Sequence, residues 1–207
     1  MDAPDPSAKR QTASIWVIAL AAFWMASAVG GLYITWAYEN GPGPSSTAGP
    51  EWPLNTRLVP AGDRPTLVFL AHPQCTCTTA SLGELAEALA RAKQVPKTYV
   101  VFLKPSSMPD GWEKTELWHA AESLPNTTIV RDEDGREAER FGSVTSGQTL
   151  LYAANGSLLF NGGITGSRGH AGDNAGRASI VDLLNHAAPV ATATKVFGCS
   201  LFASKKS

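Results

Sequence analysis

Residues 11–38 contain no Asp, Glu, Lys or Arg. An uncharged and largely apolar run of that length does not belong in a water-soluble core. It therefore divides the chain before any other feature is weighed. Its centre, from Ile15 through Met25 and Gly30-Gly31 to Trp36, is long enough to cross the roughly 30 Å hydrocarbon core of a bilayer as one helix. Trp16 at one end, and Tyr33, Trp36 and Tyr38 at the other, have the character of interfacial anchors. A cleaved signal peptide is the rival reading, with Ala26-Ser27-Ala28 imitating a cleavage site. Apolar sequence continues past that site, which favours an uncleaved anchor. Lys9 and Arg10 precede the span and the next basic residue is Arg57. The positive-inside tendency then leaves the N-terminus in the cytoplasm and places the rest outside, in a bacterium the periplasm. The expected division is a tail over 1–13, a transmembrane helix over 14–38, a Pro/Gly linker over 39–64, and a folded domain with a C-terminal tail over 65–207.

Within that domain two cysteines stand where a strand hands over to a helix. Residues 65–71 are a continuous apolar run, read as a buried strand. His72-Pro73-Gln74-Cys75-Thr76-Cys77 follows, and then a segment with Leu82, Leu85 and Leu89 at helical spacing. A helix N-terminus offers free N–H groups and partial positive charge, which favour a thiolate. Redox or metal chemistry is therefore expected at Cys75 and Cys77. Three cysteines in all are too few for a disulfide framework. The net charge of −1, without strong asymmetry, points to no nucleic-acid partner. There is no Cys-x-x-Cys-His, so covalent haem is not expected.

The remaining pattern is regular. Residues 97–103 form a second apolar run, giving strand, helix, strand and hence a parallel pair with a right-handed crossover. A helix is predicted over 109–123, a short strand over 127–130, a turn at 132–135 and a short helix over 137–141. Asn155-Gly156 between two apolar runs predicts a hairpin. A Gly-rich loop over 162–176 leads to a last helix over 178–187. That loop has neither a GK[ST] ending nor a dinucleotide-binding spacing, so phosphate binding is not expected.

This order resembles the thioredoxin-like fold, a three-layer α/β/α arrangement around a mixed sheet, whose active site occupies that first strand–helix junction. Asp134-Gly135, Phe141-Gly142, Leu150-Leu151-Tyr152 and Gly162-Gly163 resemble membrane-anchored periplasmic thiol–disulfide proteins of the TlpA/ResA kind. Three further motifs are closer to a bacterial group labelled RedB-like. These are His72-Pro73-x-Cys75-x-Cys77, the run from Gly162 through Arg168, His170 and Asp173 to Gly176, and Phe197-Gly198-Cys199. The resemblance spans roughly residues 65–201. It departs from the thioredoxin pattern in two places: only Thr76 separates the cysteines, and the slot of the usual cis-proline falls on Gly147. A Cys-x-Cys disulfide closes a small, strained ring.

The resemblance implies a redox-active centre without a cofactor, acting on protein thiols and disulfides or on an electron-donor protein. It places Cys75 as the attacking thiolate nearer the solvent and Cys77 as the resolving thiol. The Gly-rich loop then lies beside the pair, where Arg168 or His170 can lower a thiol pKa. His72 is either structural or part of the site. Cys199 is either an inert apolar-patch thiol, a resolving cysteine, or a third soft ligand; about a dozen residues after the last helix reach up to roughly 40 Å. The alternative is a Cu(I) or zinc carrier, with Cys75, Cys77, Cys199 and a histidine, His72 or His170, as ligands. A tethered interaction domain without catalysis is the third class.

Overall fold

The computed structural model describes residues 6–44 and 46–202 of the 207-residue chain. Two compact units emerge, 1–40 and 41–207. The first is a single helix, α1 (Pro6–Asn40), which begins inside the segment expected to be a polar tail. Residues 1–5 of that tail, and 203–207 at the other end, lie outside the described residues. Within Ile15–Asn40 an 18-residue stretch of the helix has a mean hydropathy of 2.0, and Trp16, Leu20, Phe23, Trp24, Leu32 and Trp36 are all exposed. A helix apolar on every side finds no stable place in water. Its length and composition fit a membrane span; a signal sequence shares both properties.

The second unit runs β1 (Thr66–Ala71), α2 (Thr76–Arg91), β2 (Lys97–Lys104), α3 (Glu116–Glu122), β3 (Thr127–Glu133), α4 (Arg136–Arg140), β4 (Gln148–Tyr152), β5 (Leu158–Gly163) and α5 (Ala175–Leu184). The five strands form one mixed sheet in the order β3-β2-β1-β4-β5. β1, β2 and β3 are parallel, with Val68 opposite Tyr99 and Val100 opposite Ile129. β4 runs antiparallel to β1, and β5 antiparallel to β4. β1 is central and buried at every residue, as a continuous apolar run requires when both faces are covered.

Strand alternation divides the core in two. Leu67, Phe69, Val100 and Phe102 point to the face covered by α2, α3 and α5. Val68, Leu70, Tyr99 and Val101 point to the other, where among the described residues α4 is the only helix and has five residues. That is too little to cover a five-stranded sheet. The deficit is made up by chain expected to be a free linker: Leu58 is buried there, and Trp52 packs edge-on to Phe141 and Tyr152 with ring centroids 5.1 and 5.0 Å away. Backbone bonds fix this segment, from the Thr47 N–H to the Gly142 carbonyl (2.9 Å) and from the Trp52 N–H to the Gly156 carbonyl (2.8 Å).

Several element ends differ from the sequence pattern. The helix expected over 109–123 is α-helical only from Glu116, because Gly111 takes φ +82° and breaks the turn before it. The last helix starts three residues earlier than expected, since the Asn174 side chain accepts from the Arg177 N–H (2.8 Å) and caps it. Asp132 and Glu133 remain in β3, and the turn is made by Asp134 and Gly135, both with positive φ.

Candidate active site

β1 delivers the chain to the C-terminal edge of the parallel strands, and α2 starts there with Cys75 as its N-cap. The Cys75 N–H bonds the His72 carbonyl (3.1 Å), and the Thr78 N–H bonds the Cys75 carbonyl (3.0 Å). Cys77 is the second helical residue. Contrary to the expectation from the resemblance, Cys75 is not the more accessible of the two: it is 2% exposed and Cys77 9%. The reason is the C-terminal segment. It crosses the site so that the Cys199 N–H lies 3.4 Å from Cys75 Sγ, although 124 positions separate the two residues. All three thiols are free, and Cys199 is exposed.

The three sulfurs sit in different fields. Burial pushes the Cys75 thiol up, but donors outweigh it and hold it below the ordinary thiol range: the Cys199 thiol, the Thr78 hydroxyl, and the backbone N–H groups of both residues. The Thr78 hydroxyl also meets Ser146 Oγ at 2.5 Å. Either hydroxyl can donate in that pair, and Ser146 Oγ accepts from the His72 N–H (2.7 Å). The sulfur thus ends a short hydroxyl chain. Cys77 is pushed up by burial and by the charge of Cys75; Arg168 opposes this without reversing it. Cys199 is pushed up to about 12 by burial, by the hydrogen bond it gives Cys75 and by repulsion from Cys75 and Cys77. One thiol of the cluster is therefore acidic and two are not.

Arg168 belongs to the cluster. Its Nη1 donates to the Gly198 carbonyl (2.7 Å) and its Nε to the Gly41 carbonyl (3.0 Å), and its charge acts on Cys77 and Cys199. His170 is turned into its own loop, exposed, with Nδ1 2.8 Å from the Arg168 carbonyl. His72 is half-buried, which lowers its pKa. Its Nδ1 accepts from the Gln74 N–H (3.2 Å) and its ring stands edge-on to Trp112. Among the described residues, no group of three or more His, Cys, Asp and Glu side chains is arranged to hold a metal ion.

Gly147 explains its own departure from the proline pattern. Its φ is +87°, its N–H donates to the Leu70 carbonyl (2.7 Å), and a Cβ there would meet Ser81 Oγ at 3.0 Å. Proline has no N–H and a fixed φ near −65°, so it has no place at this position.

Four contributors were not singled out from sequence. Thr78 and Ser146 form the hydroxyl chain. Glu84, 3% exposed on α2, accepts from the Gly172 N–H (2.7 Å), Asn174 Nδ2 (3.2 Å) and Arg177 Nη1 (2.6 Å), pinning the Gly-rich loop to the helix that carries the cysteines. Arg177 is buried with it and also pairs with Asp173. The available signal was a second stripe on α2, Cys77, Ser81, Glu84 and Ala88, at helical spacing.

A parallel β-α-β-α-β half, an antiparallel hairpin, a closing helix and a cysteine N-cap at the end of the central strand are now all placed. The fold is thioredoxin-like. No family model and no curated protein matches the chain. Among solved structures, the chain is similar to an uncharacterized conserved protein from Geobacillus kaustophilus (TM-score 0.55, 16% identity, 82% of this chain and 97% of that one). It is also similar to a hypothetical protein from Sinorhizobium meliloti (TM-score 0.55, 17% identity, 76% and 95%). A secreted Mycobacterium tuberculosis disulfide oxidoreductase homologous to E. coli DsbE overlaps less, at TM-score 0.36, 17% identity, and 46% and 66% coverage. Identities this low speak to the fold alone.

Proposed function

We propose that the chain is a membrane-tethered thiol–disulfide oxidoreductase of the RedB-like kind, held by α1 with residues 41–207 on the periplasmic side of a bacterial inner membrane. Cys75 is the attacking thiolate. It opens a disulfide of a client or donor protein, and a second thiol of the Cys75, Cys77, Cys199 cluster resolves the mixed disulfide. The protein thiols carry the electrons, with no cofactor. One observation carries this reading: Cys75 stands at a helix N-terminus with the Cys199 N–H 3.4 Å from its Sγ, surroundings that lower its pKa against its own burial. A lowered pKa raises the thiolate fraction of such a sulfur and makes it a better leaving group.

The test is a redox titration of the full-length chain in detergent micelles. The sample is equilibrated in mixtures of glutathione and glutathione disulfide, and its thiols are then counted. The expected result is loss of two thiols per chain in one two-electron step within the glutathione range. Three thiols retained across the whole series would contradict it. Metal analysis of the same sample addresses the alternative: three free thiols with about one copper or zinc per chain would replace the oxidoreductase with a metal carrier.

A further inference from the structure

Residues 196–201 pair with the loop that faces the cysteines. The Ser146 N–H donates to the Cys199 carbonyl (2.8 Å), the Leu201 N–H donates to the Val144 carbonyl (2.9 Å), and Thr145 and Ser200 form an antiparallel bridge between them. Val196, Phe197 and Leu201 are buried at the two ends, while Cys199 and Ser200 are exposed in the middle. Gly198 lies so close to Ser146 that a Cβ would fall on the Ser146 carbonyl. Arg168 holds the Gly198 carbonyl from the other side. The segment is thus a strap anchored at both ends, and its centre sets a thiol against Cys75.

Cys77 is less well placed to serve the same sulfur. The Cys77 thiol also reaches Cys75, but a bridge between these two would close a ring over one intervening residue, with the strain that entails. Cys199 comes from a separate segment and meets no such limit.

We infer that residues 196–201 form a strap that closes over Cys75, and that Cys199, not Cys77, supplies the second sulfur of the redox disulfide. This rests on the oxidoreductase reading. The strap lifts at Cys199 to admit a client disulfide. Cys75 thiolate attacks one client sulfur, the client S–S bond breaks, and the other client sulfur leaves as a thiolate. The strap returns, and Cys199 gives up its proton and attacks Cys75 Sγ. The Cys75–client bond breaks, and the client's second thiolate departs. Two electrons have passed from the Cys75–Cys199 pair to the client disulfide; the Cys199 proton goes to one client thiolate, and solvent returns to the other the proton that Cys75 had already released. The order has a built-in control. While Cys75 is a thiolate its charge suppresses Cys199, and capture of Cys75 in the mixed disulfide removes that repulsion.

The experiment uses the full-length chain in detergent micelles, oxidised with glutathione disulfide, acid-quenched, digested with trypsin and mapped by mass. Cys75 and Cys77 share one tryptic peptide, and Cys199 lies on another. Wild type and Cys77→Ser are expected to join the two peptides. Cys199→Ser is expected to leave them separate and to keep glutathione on Cys75 at least about tenfold longer. A bridge confined to the Cys75 peptide, with Cys199→Ser releasing glutathione at the wild-type rate, would overturn the inference. Gly198→Ala retains all three thiols and strikes the Ser146 carbonyl. It is expected to slow the joining and to speed carboxymethylation of Cys75 several-fold; wild-type behaviour in both would also overturn it. Cys75→Ser separates this failure from failure of the underlying reading. If that variant is oxidised by glutathione disulfide as fast as wild type, Cys75 is not the nucleophile and both fall.

Discussion

Replacing Cys75 with Ser is expected to reduce thiol–disulfide exchange by at least about 10³-fold, without loss of stability. A serine hydroxyl has no appreciable alkoxide at neutral pH, so the donors aimed at this position have no anion to act on. The same change suits the helix. Cys75 caps α2 without a side-chain cap bond, and Ser is among the preferred N-cap residues, improving a helix by up to about 1 kcal/mol. Exchange with glutathione disulfide, measured beside urea denaturation, checks both halves. An inactive variant at least as stable as wild type identifies Cys75 as chemical rather than structural. Activity within about threefold of wild type would refute its assigned role.

Glu84→Ala is expected to destabilise residues 41–207 by about 3–5 kcal/mol, the usual cost of removing one partner from a buried ion pair. Glu84 and Arg177 are both buried and meet at 2.6 Å, and Glu84 also accepts from Gly172 and Asn174. Without its carboxylate, Arg177 retains only Asp173, whose side chain is fully exposed. The 162–176 loop would lose its tie to α2, and Arg168 with it. The urea midpoint reads the stability, and proteolysis within 162–176 reads the loop. A change below about 0.5 kcal/mol would show the pair behaving as a surface salt bridge.

The sequence was most informative where structure is local. The apolar run of β1, the leucines of α2 and the Asn155-Gly156 turn each carry their pattern within a few residues, and each lies where that pattern predicts. Other features are set by partners far along the chain. Residues 46–58 have linker composition, yet they fold onto a sheet face that α4 is too short to cover. Glu84 reads as part of a solvated helix face; its burial depends on Arg177, 93 positions later. The apolar patch around Cys199 was visible in the sequence. Its antiparallel pairing with residues 144–146 was not, because nothing periodic links the two segments. The degree to which Cys75 is covered follows from that same pairing.

The most direct measurement is a pH titration of thiolate ultraviolet absorbance on the fully reduced chain, wild type against Cys75→Ser. Cys75 is held below the ordinary thiol range and Cys199 is pushed up to about 12. A group depressed in this way also favours the folded state above its unfolded pKa, a contribution lost as pH falls through the folded value. The predicted result is a single thiolate appearing below the free-thiol range in wild type and absent from Cys75→Ser. Thiols that all titrate at or above the free-thiol value, or an early step that persists in Cys75→Ser, would contradict an activated Cys75.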